Sequence, residues 1–126
     1  MHYKILKVGD EELKLRLRSR DCVDLEKTLG ESPLNILMKV EDGKIPSVGF
    51  IITTLQYSLQ ALEHGYNLGK TFDLYDKYIE NGGDMMEMFQ ILVDVFEVSG
   101  FFKKEKIEKE AQAQEIENTQ ENQIVV

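Results

Sequence analysis

Cysteine and histidine are nearly missing from this chain: Cys22 is its only thiol, and the two histidines, His2 and His64, stand far apart. Zinc sites and thiol or hydroxyl catalysts draw on such side chains in clusters, so most familiar catalytic and metal constellations lack their parts. A single thiol forms no internal disulfide, and a reducing compartment is its simplest setting. Long apolar runs are missing too. The longest candidate, Phe50-Ile51-Ile52, is cut at once by Thr53 and Thr54, far short of the roughly twenty residues of a bilayer span. Met1–Lys7 has no apolar h-region, so no signal peptide is expected and a cytoplasmic protein is. Nor do the glycines assemble into a phosphate-binding loop: Gly69-Lys70-Thr71 comes closest, with Gly65 at the wrong spacing ahead of it and no strand before it. No cofactor and no metal are expected.

What is present is acid and patterned apolar residues. The formal net charge is −8, divided into −6 over residues 1–102 (11 Lys+Arg against 17 Asp+Glu) and −2 over residues 103–126 (4 against 6). Such a surface repels phosphate backbones and anionic lipid, so neither nucleic acid nor membrane is expected as a partner. Mimicry of DNA calls for a denser array of carboxylates. The apolar share of 42 % fills a single core in a body of about a hundred residues. Past Phe102 the character changes: residues 103–126 carry no aromatic and read as a Lys/Glu/Gln run. One compact domain over residues 1–102 is expected, followed by a polar acidic tail, partly helical or disordered.

Residues 3–8 and 13–18 flank Gly9-Asp10, and the second segment alternates, with Leu13, Leu15 and Leu17 on one face and Lys14, Arg16 and Arg18 on the other. That period of two predicts a β-hairpin with a leucine face to bury. A lone ribbon is marginal in water, so it must pack on helices or pair with another copy. Five helices are predicted after it. The first is capped by Ser19 or Asp21, buries Val23, Leu25 and Leu29 and stops at Gly30. The second starts at Ser32-Pro33, with Leu34, Leu37 and Met38 inward. The third runs from about Ser47 to Glu63 on Ile51, Leu55, Leu59 and Leu62, with His64-Gly65 closing it. The fourth repeats Leu68, Phe72, Tyr75 and Ile79 and ends at Asn81-Gly82-Gly83. The fifth, capped by Asp84, carries the most regular stripe: Met85, Met88, Phe89, Leu92, Val95 and Phe96.

Met85 and Met88 continue that stripe and belong to the core, whereas Met86 points off it and offers an adaptable contact surface. Phe101 and Phe102, beyond the end of the helix, are grouped with Met86 as candidate partner-binding residues. Tyr3, Ile5, Leu13, Leu15 and Leu17 are the candidate self-association residues, since strand edges invite pairing. His64 is expected as a helix-end residue, Cys22 as a structural thiol, and Asp73, Asp76 and Glu80 as a solvated helix face without the spacing of a calcium loop.

Several strings converge on one family. They are Tyr3–Asp10, Leu25–Gly30 followed by Ser32-Pro33-Leu34, and Ile45-Pro46; then Leu59–Gly65, Tyr75–Glu80 with Gly82-Gly83, and Val98-Ser99-Gly100-Phe101-Phe102. In that order the chain, over about residues 3–104, resembles the small tail assembly chaperones of siphophages and prophages of Gram-positive bacteria. The resemblance implies a non-enzymatic protein of the infected cell that binds the long, helical, aggregation-prone tape measure protein and assists building of the tail tube around it. It also implies absence from the finished virion, and a longer form made by frameshifting is frequent in that family. The tail tube protein is a further partner on this reading, and a homo-oligomer is expected. The expected architecture is α+β, a hairpin packed on a bundle of about five helices. Its rivals are another phage structural protein, such as a tail completion or head–tail connector subunit, and a small metal-binding or thiol-dependent regulator or enzyme using Cys22 or the Asp73/Asp76/Glu80 face.

Overall fold

The computed structural model of the protein describes residues 2–103. An antiparallel hairpin comes first, β1 (Lys4–Val8) and β2 (Glu11–Leu15), followed by α1 (Ser19–Leu29), α2 (Pro33–Glu41), α3 (Val48–Leu59), α4 (Leu68–Glu80) and α5 (Met85–Val98). This is the α+β arrangement expected from the two periodicities. The tail expected over residues 103–126 lies, apart from Lys103, outside the described residues.

The hairpin closes on a two-residue loop, with Val8 opposite Glu11 and Lys4 opposite Leu15. Gly9 takes φ 59° at the first central position of that loop, where a type II′ turn requires a positive value. Because pairing starts at Glu11, β2 begins two residues before the expected strand and ends at Leu15. Leu13, Leu15 and Leu17 are all buried, together with Leu6 and Val8 from β1. Their face is packed against the helices, with β2 on α3 and β1 on α5, so it presents no side chains to a second copy. The outer edge of β2 is also occupied. Lys14 N donates to Glu63 Oε1 (2.9 Å) and Arg16 N to the Ser58 carbonyl (2.9 Å). Opposite residues of an antiparallel pair point their amides the same way, inward together or outward together. Ile5 pairs with Lys14 and Lys7 with Glu12, so the amides of Ile5 and Lys7 face the other edge, where no hydrogen bond from them is seen among the described residues.

α3 is the central element, in contact with β2, α1, α4 and α5. Phe50, Ile51, Ile52, Thr54, Leu55, Ser58 and Leu59 are all buried, so the true buried surface is wider than the predicted stripe. Ser47 caps it, accepting from Phe50 N at 3.0 Å. The helix ends at Leu59, four residues before Glu63. The Gln60 side-chain amide donates to the carbonyls of Gln56 and Tyr66 (both 2.8 Å), fastening a turn there, and Glu63 is diverted to the β2 edge. His64 is therefore an exposed loop residue, not a helix-end one.

α1 begins one residue after Arg18, and its third residue, Asp21, is buried. Asp21 accepts from Arg18 N (3.0 Å) and from the Arg18 guanidinium through both oxygens (2.8 and 3.0 Å). Asp21 thus satisfies the helix entrance from within the first turn, and neither it nor Ser19 is the N-cap. Gly30, at φ 77°, ends the helix as expected, but Val23 is 48 % exposed and not core. α2 starts with Pro33 at its first position and buries Pro33 and Leu37, with Leu34 and Met38 half-buried. α5 buries Met88, Phe89, Leu92, Val95 and Phe96 as predicted; Met85 is half-buried against the core.

α4 departs most from expectation. Its buried residues are Thr71, Leu74 and Tyr78. Leu68, Phe72 and Ile79, predicted to face inward, are 46, 47 and 40 % exposed, and Tyr75 is half-buried.

Candidate docking groove

The turn between α4 and α5 is fixed in several ways at once. Asn81 turns its amide back to the Lys77 carbonyl (2.8 Å) and Gly82 follows at φ 95°. Gly83 lies so close over the Tyr78 ring that a Cβ there would fall inside the ring's van der Waals envelope. Asp84 caps α5 by accepting from Glu87 N at 2.8 Å, and Glu87 Oε2 accepts in return from Asp84 N at 3.3 Å. The result is a reciprocal capping box. The same Glu87 oxygen accepts from the Tyr78 hydroxyl at 3.2 Å. The Tyr78 phenol is pushed up to about 12, first by burial, then by the charge of Glu87 and the hydrogen bond to it, with Asp84 adding to the charge effect.

Between this turn, the first turns of α5 and the outer side of β1 runs an open groove of about 910 Å³. Ile5 on β1 and Met86 and Ile91 on α5 supply its apolar surface, and Lys4 and Lys7 face Asp84 and Glu87 as its charged groups. Ile5 is 38 % exposed and Met86 49 %, so two apolar side chains of the groove stand partly in water. An ion pair from Lys4 Nζ to Asp94 Oδ2 (2.9 Å) ties β1 to α5.

The groove brings together Met86 and Ile5, singled out from the sequence for different roles. It does not include the others. Phe101 packs edge-on against Phe96, centroids 5.9 Å apart, and Phe102 is likewise half-buried on the core. These two phenylalanines close the far end of α5, correcting their assignment as free contact residues. Tyr3 is 39 % exposed with the Lys14 ammonium 5.0 Å from its ring centroid. Cys22 is buried, and burial first, then the charges of Glu26 and Asp21, push its thiol up, away from nucleophilic character. Among the described residues no three His, Cys, Asp or Glu side chains are placed to hold a metal ion. No described helix is long and apolar enough to cross a membrane. The Tyr78–Glu87 bond and the Lys4–Asp94 pair escaped the sequence reading, since nothing local marks two polar residues nine or ninety positions apart as neighbours.

An N-terminal hairpin on five helices, with an open groove of mixed charge beside its first strand, defines a small α+β protein. The chain belongs to a family of unknown function (DUF6096), which matches it over residues 2–123. No curated protein and no solved structure matches it.

Proposed function

We propose that this chain is a non-catalytic tail assembly chaperone of a phage or prophage, holding the tape measure protein in the host cytoplasm while the tail tube is built. The observation that carries the reading is the pairing of exposed Met86 and Ile5 in one groove whose floor is locked by the Tyr78–Glu87–Asp84 network. A flexible thioether beside an apolar strand residue suits the varied apolar faces of a long helical client, and the charged rim of Lys4, Lys7, Asp84 and Glu87 keeps the pair soluble. The family resemblance of the sequence supplies the identity of the client. On this reading the chaperone self-associates and leaves before the virion is finished.

The test is co-purification with the product of a long helical reading frame encoded next to this gene. Met86→Asp should abolish it while leaving the circular dichroism melt in place, since Met86 is not part of the core. Truncating a central anchor commonly costs about 2 kcal/mol or more of binding. Undiminished binding by the folded variant would move the client site elsewhere. Finding the protein in purified virions would replace the chaperone reading with that of a structural subunit.

A further inference from the structure

α4 carries a second apolar surface, independent of the groove and of the functional reading given to it. At the angular step of an α-helix, Leu68, Phe72, Tyr75 and Ile79 share a strip about 60° wide. The buried residues Thr71, Leu74 and Tyr78 are centred about 100° to one side of it, and the exposed carboxylates Asp73, Asp76 and Glu80 about 100° to the other. Nearly half of the Leu68 and Phe72 surface and 40 % of Ile79 remain in water. None of the three carboxylates takes part in an ion pair among the described residues; Lys77 reaches Glu11 at 3.4 Å, and Lys70 and Lys77 border Asp73 in one shallow pocket, so Asp76 and Glu80 are the carboxylates nearest the strip. The acid extends past the end of the helix. Tyr75, half-buried at the margin of the strip, has its phenol raised by burial first and then by the charges of Asp84 and Asp76.

We infer that the Leu68–Phe72–Ile79 face of α4 docks a basic amphipathic helix from another protein chain. The spacing of four and seven residues is the anchor pattern of helix-on-helix packing, and the strip is narrow enough to be covered by one partner helix. Charge selects the partner. A second copy of α4 laid on this face brings its own Asp73, Asp76 and Glu80 against the first set, and an acidic helix does the same. Lysine or arginine flanking the partner's apolar stripe completes the carboxylates left unpaired here.

The experiment uses the full chain and two synthetic helical peptides with one leucine pattern, the flanking positions filled with lysine in one and glutamate in the other. Fluorescence anisotropy should show the lysine peptide binding, more weakly as salt is added, and the glutamate peptide not binding. Phe72→Asp should weaken binding about thirtyfold, the scale of a lost central anchor. The triple reversal Asp73→Lys, Asp76→Lys, Glu80→Lys leaves the apolar strip intact and should invert the preference toward the glutamate peptide, so the outcome does not hang on the folding of the Phe72 variant. Absence of binding by the lysine peptide, equal binding of both peptides, or binding indifferent to both variants overturns the inference. Sedimentation of the parent as a dimer that Phe72→Asp dissolves also overturns it, assigning the face to a second copy. Loss of the tape measure interaction through Met86 leaves these outcomes untouched.

Discussion

Tyr78 concentrates the chemistry of the molecule's best-fixed turn in one phenol. Its ring fills the space that Gly83 leaves, and its hydroxyl donates to a glutamate already engaged in capping α5. The linkage between that environment and stability has a definite sign. In the unfolded chain the phenol ionises near 10, in the folded one near about 12. Between those values the unfolded state has lost a proton that the native state keeps, so the contribution is fully present below pH 10 and disappears as pH rises through 12. A shift of this size corresponds to something on the order of 2–3 kcal/mol. Tyr66 and Tyr75 are also raised, by burial first, and act in the same direction. Tyr78→Phe keeps the ring and removes the titration. Its urea midpoint should therefore fall less steeply from pH 9.5 to 12 than that of the parent; parallel curves would show that the Tyr78 proton is not held by the fold.

At the scale of the element, helix entrances differ in how firmly they are held. Ser47, Asn67 and Asp84 each accept from a backbone amide three residues on, at 3.0, 2.8 and 2.8 Å. Ser32 sits at the N-cap of α2 without making that bond. Asp84→Ala should therefore cost about 1–2 kcal/mol and lower the melting temperature by several degrees. Ser32→Ala should change it little. Thermal melts of the two variants decide the matter, and an equal loss from both would mean that the hydroxyl of Ser32 caps in solution. The exits follow local rules as well, with Gly30 ending α1 where the sequence puts it. α3 does not, because its end is decided by Gln60 and Glu63 reaching residues of the α3–α4 connection and of β2.

For the molecule as a whole, the asymmetry of the hairpin edges sets how copies meet. The amides of Lys14 and Arg16 on the β2 edge are taken by Glu63 and Ser58, whereas those of Ile5 and Lys7 on β1 face outward with no described partner. Unpaired strand edges favour addition of another strand. Self-association should proceed through β1, joining two hairpins into one sheet, and not through the buried leucine face. Proline at an edge position removes an outward amide without breaking the inner ladder. Ile5→Pro should keep the helical circular dichroism signal and convert a concentration-dependent dimer into a monomer. A parent that sediments as a monomer at high concentration removes the basis for homo-oligomerisation.

By itself the sequence determined the features that a few neighbouring residues settle. Gly9-Asp10 places the turn, the Leu13/Leu15/Leu17 alternation marks a buried face, and Ser47, Asp84 and Gly30 mark helix ends, because turn sterics and capping bonds act within three or four positions. The α5 stripe was legible for the same reason, since Met88, Phe89, Leu92, Val95 and Phe96 recur at helical spacing on one side. In α4 two faces compete. Leu68, Phe72, Tyr75 and Ile79 are the more apolar, yet the helix lies against α3 and β1 through Thr71, Leu74 and Tyr78. Periodicity reports that a helix has an apolar side; it carries no information on which side the rest of the chain has left room for. Likewise the sequence marks Met86 and Ile5 as apolar, but only the tertiary structure, by laying β1 alongside α5 through Lys4 and Asp94, makes them parts of one groove.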